Sequence, residues 1–212
     1  MSRRRLWIAG AVVFAALTVQ LAIGQDEKNE VSGVVGRSFI GTQAIQGATF
    51  FDPNIRYGRG TTIEGSYARR LLLNPICSFA VEVPVLFNPD EDIHAGGPGL
   101  APGDYSALFV APSVRANLFP ETAVSLWGSV GGGVGHISQN SKLLYGGTNT
   151  GKNTTSGVLQ YGVGLDVKFT SRFYVRVEGR DYWAGEPDFP QAPTGKSRQH
   201  NYFVGGGVMW RF

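Results

Sequence analysis

Cysteine occurs once in the 212 residues, at Cys77, so no disulfide can close within the chain and no multi-thiolate metal site is available. Charge is scarce as well: Asp, Glu, Lys and Arg together make up 17%, against roughly 25% in ordinary soluble domains. A basic patch is also missing. The net charge of +3 comes from Arg3, Arg4 and Arg5, and without them the remaining 16 Lys and Arg balance the 16 Asp and Glu. The field that binding to a phosphate backbone requires is therefore absent, which excludes nucleic acid as a partner. Beyond the N-terminal segment no apolar run is long enough to cross a bilayer as a helix. His94, His136 and His200 show no ligand spacing, so neither metal nor cofactor is expected.

What the chain does have is glycine, 30 residues of it, and 12% aromatics at a mean hydropathy near zero. That balance suits strands with one apolar and one polar face. Ahead of them stands a leader. Arg3 to Arg5 precede an apolar stretch from Leu6 to Val19, with Ala22 and Gly24 at the small-residue positions before a cut ahead of Gln25, so residues 1–24 read as an export signal peptide. An uncleaved anchor over Leu6 to Ile23 is the alternative. Residues 25–29 then form a short N-terminal segment, and 30–212 a single β domain.

Period-two alternation and β propensity mark eight strands: Glu30 to Ile40, Thr61 to Leu73, Ser78 to Phe87, Tyr105 to Leu118, Thr122 to Ile137, Gly157 to Phe169, Arg172 to Trp183, and Asn201 to Phe212. They run 10 to 16 residues, beyond the soluble mode of about 5 or 6 and up to the 9–11 that a tilted strand needs to cross a bilayer. Their connections alternate in strict order. Tight turns at 74–77, 119–121 and 170–171 interleave with polar loops of 17 to 20 residues at 41–60, 88–104, 138–156 and 184–200. Long loops on one side and short turns on the other are the asymmetry of an outer-membrane barrel. The faces agree: Leu159, Tyr161, Val163, Leu165, Val167 and Phe169 share one face of their strand, and Gln160, Gly162, Gly164, Asp166 and Lys168 the other. A soluble barrel would instead fill its interior with apolar groups, and unpaired charges there would cost several kcal/mol each.

On these residues the chain resembles the small eight-stranded outer-membrane β-barrels of the OmpA transmembrane domain and OmpX type. The most specific token is the C-terminal run Tyr202-Phe-Val-Gly-Gly-Gly-Val-Met-Trp-Arg-Phe212, with Val208, Trp210 and Phe212 on one face. The resemblance implies that this strand is the signal read by the barrel-assembly machinery. It also implies a monomer in the bacterial outer membrane, in contact with its lipid and lipopolysaccharide, with a structural or surface-interaction role. Pro84 and Pro112 fall inside strands, where each removes a ladder bond and calls for a bulge. Arg69, on the lipid-facing parity, is expected to snorkel to the periplasmic interface or to mark a register shift.

Inward parity places Glu64, Glu82, Asp166 and Glu178 in the lumen with Arg70, Arg115, Lys168, Arg176, Arg180 and Arg211. An eight-stranded barrel has an interior just wide enough for side chains, so these ten read as an ion-paired plug. A narrow path for ions or small solutes past a rearranging pair is the alternative, the basic excess then favouring anions. Inward glycines at 131, 133, 135, 205 and 207 relieve crowding.

Sharper motifs fail on spacing. Gly146 to Asn153 and Pro190 to Ser197 each miss a required position of the nucleotide P-loop and lack a strand-to-helix setting. Asp90-Glu-Asp92 and Asn153-Thr-Thr155 are short polar triplets of the kind that chance supplies. One pair carries chemistry: His136 and Ser138 share an outward face at the extracellular end of their strand and resemble the His-x-Ser pair of lipid A deacylases. A His beside a Ser could activate the hydroxyl for ester attack. No acid that would orient the His follows before Asp166. The expectation is a non-enzyme.

Overall fold

The structure, a computed structural model, describes residues 28–46, 54–58, 60–95, 104–139, 153–187 and 197–212. The expected signal peptide, with its cut after Gly24, lies outside the described residues. Among the described residues every element is a strand: β1 (Asn29–Ile40), β2 (Gln43–Ala44), β3 (Asn54–Tyr57), β4 (Thr61–Leu73), β5 (Cys77–Ala95), β6 (Asp104–Val110), β7 (Ser113–Leu118), β8 (Val124–Gln139), β9 (Thr154–Lys168), β10 (Phe173–Gly185) and β11 (Arg198–Arg211). Neighbours pair antiparallel, and β1 pairs with β11, which closes the sheet. β6 and β7 together make one stave, so the barrel has eight among the described residues. The short β2 and β3 continue the sheet above it by pairing with the end of β5.

The ladders fix the barrel's shape. From Glu30 the register runs through Ala68, Glu82, Ser113, Gly131, Gln160, Tyr182 and Asn201, and returns to the first strand at Ile40, ten residues higher. That stagger over eight strands tilts them by about 40° to the axis. Strands on the loop side run longer than the alternation signal alone marks. β5 continues to Ala95 and β10 to Gly185, because backbone pairing persists above the point where the side chains stop alternating.

The expected proline bulges do not occur. The β5 register against β6 and against β7 is the same, so Pro84 faces Ala111 and Val83 faces Pro112 with no residue inserted. Placing the two prolines side by side confines the damage. Ala111 N–H still donates to Pro84 O at 3.3 Å and Gly132 N–H to Pro112 O at 3.1 Å, so each affected pair keeps one of its two bonds. Glycine makes the close approach possible: a Cβ at Gly133 would lie 1.9 Å from Val110 O. The ladders shift register elsewhere among the described residues: between Arg70 and Leu72, just past the exposed Arg69, and between Asn88 and Glu91 where β5 pairs with β6.

Outward side chains are apolar along every stave, from Val35 and Ile63 to Val163 and Val204, each at least half exposed. The interior is divided. Its lower half, towards the tight turns, is charged. The upper half holds an apolar cluster including Val34, Leu86, Phe109, Ile137, Val158, Tyr182 and Phe203, with Ile45, Ile55 and Ile93 over it. The sequence reading named only the charged residues of the interior, and the apolar layer is an addition to it.

Candidate functional site

The lower lumen holds one connected set of charges, presented by the inward positions of strands whose outward positions are apolar. At its foot, Arg70 Nη1 donates to Glu121 of a tight turn at 2.9 Å, and Arg70 Nε lies 3.6 Å from Glu30. Glu30 also takes Arg115, and Arg211 at 3.1 Å. Arg115 reaches up to Glu82 at 3.2 Å, and Glu82 is held from above by Arg180 at 2.8 Å. Arg180 in turn pairs with Glu64 at 2.9 Å and Glu178 at 3.3 Å. The Tyr182 hydroxyl, donating to Glu64 at 3.1 Å, joins this ladder to the apolar layer above. To one side Arg176 donates twice to Asp166, at 2.7 and 2.8 Å, and once to the Ser32 hydroxyl.

The charges balance. Among the described residues, Glu30, Glu64, Glu82, Asp166 and Glu178 are buried together with Arg70, Arg115, Arg176, Arg180 and Arg211. Nine of the ten residues that the sequence placed in the lumen are in this set. Lys168 is the exception: it is exposed at the foot of β9, because parity reports the side of a strand and not the depth along it. Glu30 is the member that the alternation signal did not single out. Replacing Lys168 by Glu30 removes the expected basic excess, and with it the argument for anion preference.

At the centre stands an aromatic that the sequence reading did not list. Trp127, 3% exposed, has the guanidinium carbons of Arg115, Arg176 and Arg180 at 5.7, 5.0 and 4.9 Å from its ring. Cations over an indole face are attracted by its quadrupole. Space for the ring comes from Gly164, directly across the ladder, where a Cβ would lie 2.4 Å from the indole.

A closed antiparallel barrel with an apolar outside and a charged inside is the architecture of membrane-spanning strands. The comparisons agree. The sequence model of a family described as outer membrane protein beta-barrel domain matches residues 9–212. The chain belongs to this family. Its fold is similar to the outer membrane protein OprG from Pseudomonas aeruginosa (TM-score 0.58, 11% identity, covering 87% of this chain and 95% of that one). It is also similar to Neisserial surface protein A (TM-score 0.52, 14% identity, 87% and 97% covered). No curated protein matches the sequence.

As a member of this family the protein resides in the bacterial outer membrane, its long loops outside the cell and its tight turns in the periplasm. Two aromatic belts mark the interfaces. Phe173 and Trp183 lie ten residues apart on β10, which at this tilt separates them by about 25 Å, the height of the apolar band of such barrels. In the lower belt Phe173, Trp210 and Phe212 stack at 6.5 and 4.5 Å. Val208 is 62% exposed on the same outward face. Phe212 exchanges two backbone bonds of 2.8 Å with Asn29, which closes the seam at its last residue.

His136 and Ser138 both sit at the extracellular rim of β8. His136 Nδ1 lies 2.8 Å from the Thr155 hydroxyl, and Ser138 donates to Asn153 at 3.2 Å. Each is bonded across to the β8–β9 hairpin, not to the other.

Proposed function

We propose that the protein is a closed envelope barrel that acts through its outward surfaces, its lipid-facing wall and extracellular loops, and that its lumen passes no solute. The observation that carries this reading is the balanced ion-pair ladder capped by an apolar layer. Any ion entering would have to displace buried pairs, each leaving a partner uncompensated at a cost of about 3–5 kcal/mol. Val208, Trp210 and Phe212, in line on the membrane face of the closing strand, support a role as the element engaged by the barrel-assembly machinery. The apolar wall supports direct contact with outer-membrane lipid and lipopolysaccharide.

Single-channel recording of residues 25–212, refolded into a planar bilayer, tests the closed lumen. Silence from a folded barrel is expected. Steady ion-selective openings that change on Arg180→Ala would overturn it in favour of a narrow channel. The ester-hydrolase alternative needs the Ser138 hydroxyl to meet His136, and their separate bonds to Asn153 and Thr155 support a structural part in the hairpin instead. Expression of the protein should leave the mass of lipid A unchanged; loss of one acyl chain, abolished by Ser138→Ala, would reverse that assignment.

A further inference from the structure

On the outer wall, at the extracellular aromatic belt, four side chains of β10 and β11 stack in single file. The Arg198 guanidinium lies 4.8 Å from the Trp183 ring. Trp183 stacks on His200 at 6.0 Å, and His200 on Tyr202 at 5.5 Å with planes 5° apart. Asp181 Oδ2 fixes the file by accepting from His200 Nδ1 at 2.7 Å, so its charge is already committed. Arg198 is exposed and makes no ion pair among the described residues. A guanidinium over an indole face is steadied through its π system and keeps N–H donors for a bidentate acceptor, and phosphate is an anion that fits that fork.

Below this file, and continuous with it through Asp181 and Tyr202, an apolar groove of about 750 Å³ runs down the wall across β10, β9, β8 and β7. It exists because Gly179, Gly128 and Ala116 stand at outward positions where Tyr161, Val163 and Phe79 beside them are large. The groove lies within the band that lipid covers, so hydrocarbon fills it. Arg37, exposed on β1 across from Val204 of the groove, adds a second cation at the same end.

We propose that this surface binds one phosphorylated lipid of the outer leaflet, its phosphate on Arg198 and an acyl chain along the groove. The cation sits at the interface and the apolar channel leads from it towards the bilayer centre, which is the order of the two parts in such a lipid. Nothing in this assignment depends on the lumen being closed.

The test uses protein purified from outer membranes, placed in phosphatidylcholine nanodiscs doped with diphosphoryl lipid A or with its dephosphorylated form, and read by native mass spectrometry. The wild type should retain one diphosphoryl lipid A. Arg198→Gln removes the fork and should weaken retention about tenfold, the size of a lost charge-assisted bond. Gly179→Leu should abolish retention by filling the groove. It keeps the fold testable, because a Cβ there meets only Phe203 O at 3.8 Å, and Gly128→Leu, with only Gly162 O at 3.8 Å, serves as the second blocking variant. Equal retention of the dephosphorylated form, or wild-type retention in Arg198→Gln or in both folded leucine variants, overturns the proposal. Displacement of the lipid by inorganic phosphate alone would reassign Arg198 to a free anion.

Discussion

Arg180 is the residue on which the lower lumen turns, since it alone touches Glu64, Glu82 and Glu178. Arg180→Met takes a cation from three buried carboxylates, of which Glu82 keeps Arg115. It should lower stability by about 3–5 kcal/mol in urea unfolding of the refolded barrel, whereas Lys168→Met, on an exposed side chain, should stay within about 0.5 kcal/mol. Trp127 and Gly164 make a second test. Gly164→Ala drives a methyl into the indole and should cost about 1–3 kcal/mol. Trp127→Leu in the same chain should return part of that loss, giving a double-mutant coupling above about 0.5 kcal/mol by the same unfolding measurement. The alternation of β9 and β10 makes Asp166, Arg176, Glu178 and Arg180 legible in the sequence, because a two-residue period assigns each side chain to a face. It could not assign partners. Which acid meets which base depends on the ten-residue stagger, a property of the closed ladder that no single strand encodes.

Among the elements, β9, β10, β11 and the β6–β7 stave were legible nearly to their ends, and the loop-side end of β5 was not. In the stave, Ala111-Pro112 interrupts the pairing while the register carries through. A proline read alone predicts a bulge, and two prolines in adjacent strands at one level do not need one. Pro112→Ala would restore a donor towards Gly132. Stability should change by less than about 1 kcal/mol, because the added bond is offset by the greater freedom of the unfolded chain. The exchange of nearby β8 amides should nonetheless slow, as hydrogen exchange can follow. The last strand offers a test in the cell. Deleting Phe212 removes the Asn29 pairing and one ring of the stacked belt, and should lower the amount of heat-modifiable barrel in outer membranes. An unchanged amount would show that Val208 and Trp210 suffice.

For the molecule as a whole, inside and outside are set by one rule applied around a closed curve. The fold class was legible because strand length, loop asymmetry and face chemistry all pointed to a barrel in a membrane. The apolar layer of the upper lumen was not. Val34, Leu86, Phe109 and Phe203 have the parity of the charged residues, and in sequence an apolar inward residue is indistinguishable from a break in the pattern. Closure has a further consequence, for timing. The seam joins the first strand to the last, with Arg211 bonded to Glu30 across 181 positions, and Phe212 to Asn29. No partial chain contains both sides of that ladder, so a nascent molecule cannot complete its barrel while any of β11 is still to be synthesised. Until then its apolar strands have exposed edges and need a holder that prevents their association, and the synthesis of β11 sets the earliest moment at which the membrane can receive the closed barrel.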